Sequence, residues 1–152
     1  MLVQKRKVLA YITHGECLLV FRHPFAPEAG IQVPAGTVES DERLEDAAMR
    51  EAAEETGLPN LRLVAFLGTD ERSMTDFGRD ELHHRWFYHL RCDDDPPATW
   101  RHLELHPSDG PHEPNVFEFF WARLPGETPE LIADQRRLLP QLVTNLTRGP
   151  ST

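Results

Sequence analysis

Three glutamates lie within one short stretch of this chain, Glu51, Glu54 and Glu55. On a helix, Glu51 and Glu55 are i and i+4 and stack on one face, and Glu54, at i+3 from Glu51, flanks them. Like charges at this spacing destabilise a bare helix. Arg50, i,i+4 to Glu54, relieves only part of that repulsion. Three anionic oxygen donors within one turn suit a hard divalent cation. On a helical wheel Glu51 and Glu55 share their side with Leu44, Ala47 and Ala48. A solvated charge run would project opposite the apolar stripe. These carboxylates project with it, and the alanines leave room for another backbone to come close.

The elements that must position them are legible in outline. A helix is expected over residues 41–56, DERLEDAAMREAAEET, capped by Ser40 or Asp41, with acidic residues in the first turn where the helix dipole favours them. Gly57 supplies a left-handed C-terminal cap and Pro59 prevents continuation. Upstream, residues 5–13 and 17–23 read as β segments turning at His14-Gly15-Glu16. Residues 23–30 form a loop broken by Pro24, Pro27 and Gly30. A short extended stretch, 31–34, ends at Ala35-Gly36. Downstream, strands are expected over 61–68, 82–92, 99–105 and 116–124. The polar stretches 69–81 and 107–115 are expected loops, and DDDPPA after residue 92 a turn. An amphipathic helix within 129–146 is expected to break near Pro140. Strands around one well-marked helix and a terminal one give an α+β fold, an α/β/α sandwich with a mixed sheet.

The chain has 152 residues, enough for one domain, 1–152, with a core that needs no staple. No apolar run approaches a membrane span, and the N-terminus has no h-region or cleavage site of a signal peptide. Cys17 and Cys92 sit in apolar stretches and read as small hydrophobes rather than a disulfide or zinc site, in keeping with a reducing cytoplasm. A net charge of −9 without a basic patch argues against polynucleotide partners. A small phosphorylated ligand stays open, because a divalent metal reverses the local sign.

Gly36, five residues, Glu42, seven residues, then Arg50-Glu51-Ala52-Ala53-Glu54-Glu55-Thr56-Gly57-Leu58 resembles the Nudix box, with every polar and glycine position matched. Ala52 is smaller than the usual aliphatic residue, a difference of packing rather than chemistry. The approach Val33-Pro34-Ala35-Gly36 and the late strand bearing Trp121 are similar to the family as well. The resemblance implies a Nudix-like α/β/α sandwich that hydrolyses nucleoside diphosphates linked to another moiety. It implies that Glu51, Glu54 and Glu55 bind Mg²⁺ or Mn²⁺, one of them also serving as base. Arg50 would orient Glu51, Glu42 would pair with Arg50, and the carbonyl at Ala35 or Gly36 would add a metal ligand. Relatives of this kind are often dimers, so a homodimer stays open. The expected activity is metal-assisted attack of water on a diphosphate, with a carboxylate taking the proton.

Other residues have two readings each. Glu118 interrupts an apolar strand on the Val116 and Phe120 side, a costly place for an unpaired carboxylate. Relatives often take a further carboxylate from beyond the box. Glu113 and Glu118 are the candidates for it, against the alternative that each is edge-exposed. His83, Arg85 and His89 share a strand face with Phe87; they could contact phosphate or base, but a solvent-facing sheet surface is preferred. Arg22 and Phe25 flank the loop before the box and could touch substrate. Asp93-Asp94-Asp95 reads as a solvated turn. Met74 stands about where relatives that cleave sugar nucleotides carry a proline, so the substrate is open. Two other functions share the fold: an isomerase of isopentenyl diphosphate, which needs a catalytic Cys in a motif that neither cysteine occupies, and a non-catalytic ligand sensor, which usually lacks box carboxylates.

Overall fold

The structure, a computed structural model, describes residues 1–104 and 115–148. The expected loop from residue 107 and the candidate Glu113 lie outside the described residues. Strand β1 (Val3–His14) alternates as a doubly covered strand must. Val8, Ala10 and Ile12 enter one core, and Leu9 and Tyr11 enter the other. It meets β2 (Cys17–Arg22) in a hairpin at Gly15, but the two pair only at Thr13↔Leu18 and His14↔Cys17. Beyond that they diverge. Short β3 (Ala35–Thr37) fills the fork, pairing antiparallel with Lys7, Val8 and Leu9.

On the other side of β1 runs β5 (Glu81–Cys92), parallel to it, and outside β5 lies β4 (Leu61–Ser73). The free side of β2 carries β7 (Asn115–Arg123) and then β6 (Thr99–Glu104). The order is β4-β5-β1-β2-β7-β6, with β3 beside β1, a mixed sheet of seven strands. Helix α1 (Leu44–Thr56) lies on one face, where Ala47, Ala48 and Ala52 pack with Val8, Ala10, Phe117 and Phe119. Helix α2 (Leu139–Arg148) lies on the other, where Leu139 and Leu142 pack with Leu9, Tyr11, Val20 and Phe87. This is the α/β/α sandwich that the sequence implies. No helix among the described residues is long and apolar enough to cross a membrane.

Several local expectations need correction. The helix starts at Leu44, not at residue 41, and no side chain caps it. Asp41 instead adopts a left-handed conformation (φ 70°). The reason is Glu42, whose carboxylate accepts from the Glu39 backbone N–H and from Arg50, which keeps residues 39–42 in a turn outside the helix. The polar stretch 69–81 is strand through Ser73, because Asp70, Glu71 and Arg72 find partners opposite them in Arg85, His84 and His83. His83, Arg85 and His89 do not face solvent: they are 7%, 3% and 2% exposed. The terminal helix is shorter than expected. Pro140 sits in its first turn, where a missing N–H costs nothing, and residues 129–138 are irregular around a 3-10 turn, Ile132–Asp134. Both cysteines are free. Asp93 pairs with Arg62 and Arg91 at 3.0 Å, as a surface turn would.

Candidate active site

The spacing that places Glu51, Glu54 and Glu55 on one turn is realised in α1, and Gly57 ends that helix in the left-handed conformation (φ 72°), its N–H bonded to the Ala53 carbonyl. Strand β6 fastens the same end: Trp100 Nε1 and His102 Nε2 each lie 2.9 Å from a last-turn carbonyl, those of Thr56 and Glu54. These bonds use carbonyls the helix leaves unpaired and fix its rotation against the sheet.

Arg50 gathers the acidic groups. Its guanidinium holds Glu42 bidentately (2.7 and 2.9 Å), donates to Glu51 Oε1 (2.8 Å) and reaches Glu54 Oε2 (3.4 Å) and the Thr37 carbonyl (3.2 Å). The bond to Arg50 holds the Glu42 carboxyl at about 2, well below the usual carboxylate range. Glu51 moves the other way: burial raises its pKa, with Arg50 opposing. Glu55 is raised further, burial again the main cause, and its carboxylate accepts one hydrogen bond, from the Ala35 backbone N–H at 3.0 Å.

The β1–β2 fork makes this arrangement possible. It lets β3 run under the helix, and at Gly36 the two come into contact. A Cβ at Gly36 would lie 2.5 Å from Glu51 Cγ and closer still to its carboxyl. Glycine is required here for close approach, not for an unusual backbone angle. Gly36 also borders a cleft of about 180 Å³, on the opposite side of β3, lined by Lys7, Gln32, Met74, His83 and Gln135 among others.

The residues expected from the sequence separate into two groups. Gly36, Glu42, Arg50, Glu51, Glu54 and Glu55 come together. Arg22, Phe25 and Glu118 form a different cluster. Glu118 lies on the sheet face opposite α1, with Phe120. Arg22 stands 3.4 Å from it and Arg101 3.1 Å, the latter with its guanidinium over Phe25. The charge that looked costly in the sequence is thus answered by two arginines across the strand register. Glu118 is not brought to the helix. Arg85 does line the cleft, but its donors are already engaged: Nε and Nη2 with Asp70 at 2.7 Å, Nη1 with the Ala133 carbonyl at 2.7 Å. It builds the cleft wall.

Sequence reasoning missed Glu104 and Lys7. Glu104 shares the β6 face of Trp100 and His102, towards α1, and its charge is close enough to Glu55 to help raise the latter's pKa. The alternation of residues 100, 102 and 104 was the available signal. Lys7 follows a similar logic on β1, where it lies on the Leu9 side.

Among the described residues, no three His, Cys, Asp or Glu side chains converge as they stand to enclose an ion. The donor set nevertheless fits a hard divalent cation. Glu55 is a desolvated carboxylate with a single hydrogen bond, Glu51 sits in a cradle that a Cβ would fill, and the donors are anionic oxygens.

Fold and site together define a NUDIX protein: the NUDIX domain model matches residues 3–142, and the chain belongs to that family. Among solved structures, it is similar to a UDP-X diphosphatase (TM-score 0.66, 13% identity), covering 98% of this chain and 65% of the other, so it spans just under two thirds of that protein. It is similar also to a MutT NUDIX hydrolase from Burkholderia pseudomallei (TM-score 0.63, 23% identity, 91% and 98% covered). A NUDIX-family hydrolase from Clostridium perfringens matches with TM-score 0.60 and 18% identity over 95% and 97%. At these identities the likeness establishes the fold. A comparison with curated proteins finds no match.

Proposed function

We propose that this chain is a Mg²⁺- or Mn²⁺-dependent hydrolase of a diphosphate linkage in a small nucleotide-like compound. One observation carries the reading: the box carboxylates gather along β3, Glu51 and Glu54 held by Arg50, Glu51 against Gly36 and Glu55 on the Ala35 N–H, and Gly36 borders a cleft on the far side of β3. Glu51, Glu54 and Glu55 would hold the cation, with Glu104 as the carboxylate from beyond the box and a carbonyl of Ala35 or Gly36 beside them. When bound, the cation neutralises the diphosphate and makes water a stronger acid. Arg50 and Glu42 keep Glu51 in place by charge-assisted hydrogen bonds. Glu54, 52% exposed and only loosely held by Arg50, is the carboxylate with room to accept a proton from water at its Oε atoms. Two free cysteines fit a reducing cytoplasm, whose small phosphorylated compounds would be the source of substrate.

The test is a screen of diphosphate compounds with Mg²⁺ and with Mn²⁺, products identified by mass. The expected result is cleavage at a phosphoanhydride bond, abolished by EDTA. Full activity in chelator would remove the role given to the glutamates. Tight binding without turnover across the screen would favour a ligand sensor.

A further inference from the structure

Lys7 emerges from β1 opposite Thr37, one residue from the Val8↔Gly36 pair, and lines the cleft next to Gly36. Its ammonium has three donors. One goes to Thr37 Oγ1 at 2.6 Å. The neighbouring cations are neutralised directly, Lys5 by Glu81 at 3.1 Å and Arg85 by Asp70 at 2.7 Å. Among the described residues, no carboxylate lies within 4.0 Å of Lys7 Nζ. Glu81 and Glu51 act on it only from beyond ion-pair distance, a half-buried charge without a direct partner is costly, and burial lowers its pKa from the ordinary lysine value. The group is placed for an anion that arrives from outside.

We infer that Lys7 is the phosphate contact of the cleft, its ammonium binding a non-bridging oxygen of the substrate's diphosphate across β3 from the glutamates. The inference rests on the diphosphatase reading and extends it to the substrate. The organic group beyond that phosphate enters the cleft. At about 180 Å³ the cleft falls below the roughly 300–1,000 Å³ of sites that enclose drug-sized ligands, so it takes a single compact group. Its far wall does not yield easily. Ala133 and Asp134 both have left-handed backbones (φ 54° and 53°), and Arg85, fixed by its buried ion pair with Asp70, donates to the Ala133 carbonyl. The Gln135 side-chain carbonyl accepts from the Val33 N–H at 2.8 Å. The substrate class is therefore a diphosphate whose group seated in this cleft is compact and ring-sized, the rest of the compound extending out of the open mouth.

The experiment measures inorganic pyrophosphate binding with Mg²⁺ by calorimetry, together with KM and kcat on the best substrate of the screen. Lys7→Met should weaken pyrophosphate binding by about tenfold or more, the size of a lost charge-assisted bond, and raise KM more than it lowers kcat. Mn²⁺ binding to the substrate-free variant should be unchanged or tighter, because a cation near Glu51 has gone. Lys7→Arg should restore part of the loss. Thr37→Val, which removes only the hydroxyl partner, should keep pyrophosphate binding. Wild-type affinity in Lys7→Met would overturn the inference, as would failure of the wild type to bind pyrophosphate. A loss in Thr37→Val equal to that in Lys7→Met would mean that Lys7 merely braces β3, and would also overturn it. If the wild type hydrolyses no diphosphate yet binds pyrophosphate through Lys7, the inference holds and the hydrolase reading falls.

Discussion

Gly36→Ala separates the chemistry of the site from the stability of the fold. Gly36 does not need a left-handed backbone, so alanine imposes no conformational strain on β3. The whole effect is steric. The new methyl would stand 2.5 Å from Glu51 Cγ, where carbon atoms ordinarily rest about 3.5–4.0 Å apart. A gap of roughly 1 Å or more has to open. Helix α1 cannot retreat freely, because Ala47, Ala48 and Ala52 are fully packed against the sheet. The Glu51 side chain gives way instead and strains or breaks its 2.8 Å bond from Arg50. One charge-assisted bond at a partly exposed site is worth about 1–2 kcal/mol, so urea unfolding should show a loss of that size in a protein that remains folded. Turnover should fall on the order of a hundredfold, the cost of displacing a positioning group by about 1 Å. The assay is kcat at saturating Mg²⁺ beside the unfolding curve. Wild-type turnover with the expected stability loss would show that the place of Glu51 against Gly36 is irrelevant to catalysis.

Three further outcomes follow from the same geometry. Glu55→Gln keeps the acceptor for the Ala35 N–H but removes a desolvated charge, so melting temperature should hold or rise while turnover drops by orders of magnitude; a large destabilisation with normal turnover would reverse the assignment. Glu104→Gln should lower turnover and weaken Mn²⁺ binding, whereas Glu118→Gln should leave turnover alone and cost at most about 1 kcal/mol, since its arginine partners are half exposed; equal kinetics in the two variants would exclude Glu104. Burial holds His89 neutral with a pKa of about 4, while an unfolded histidine titrates near 6.5. The unfolded chain binds the extra proton between these values, so stability is full above pH 6.5 and declines by up to about 3 kcal/mol as pH falls to 4. Urea midpoints measured across that range should lose part of this slope in His89→Gln, and an unchanged slope would place the acid sensitivity elsewhere.

The helix and its glycine terminator were legible in the sequence because they depend on local spacing in one short segment, and the bonding of Arg50 to Glu42 and Glu51 followed from the resemblance to the Nudix box. The paired and buried polar residues were not. Asp70 read as loop and Arg85 as surface, since each makes sense only once the β4–β5 register puts them opposite one another. His89 looked like a solvent-facing residue until α2 was seen to cover its face. Glu118 was correctly singled out as a charge that needed an answer. Its partners, Arg22 and Arg101, come from strands far away in sequence, so the guess of a metal was chemically reasonable and spatially misplaced. For Lys7, alternation along β1 gives its face but not its neighbours; its meaning lies in the fork that only the folded sheet contains.

Arg50 has a consequence for how the protein is made. A cluster of carboxylates awaiting a cation would ordinarily repel itself apart and make folding depend on metal, as many small metal domains do. Here the guanidinium already sits among Glu42, Glu51 and Glu54 as a tethered counter-ion encoded in the chain. On the proposed reading, the polypeptide would reach its native state in metal-poor surroundings and be loaded later, by an exchange of partners rather than by a folding event. The same tether sets a threshold. On that reading an incoming ion would compete with a resident charge for Glu51 and Glu54, which would favour a divalent ion over a weakly bound monovalent one.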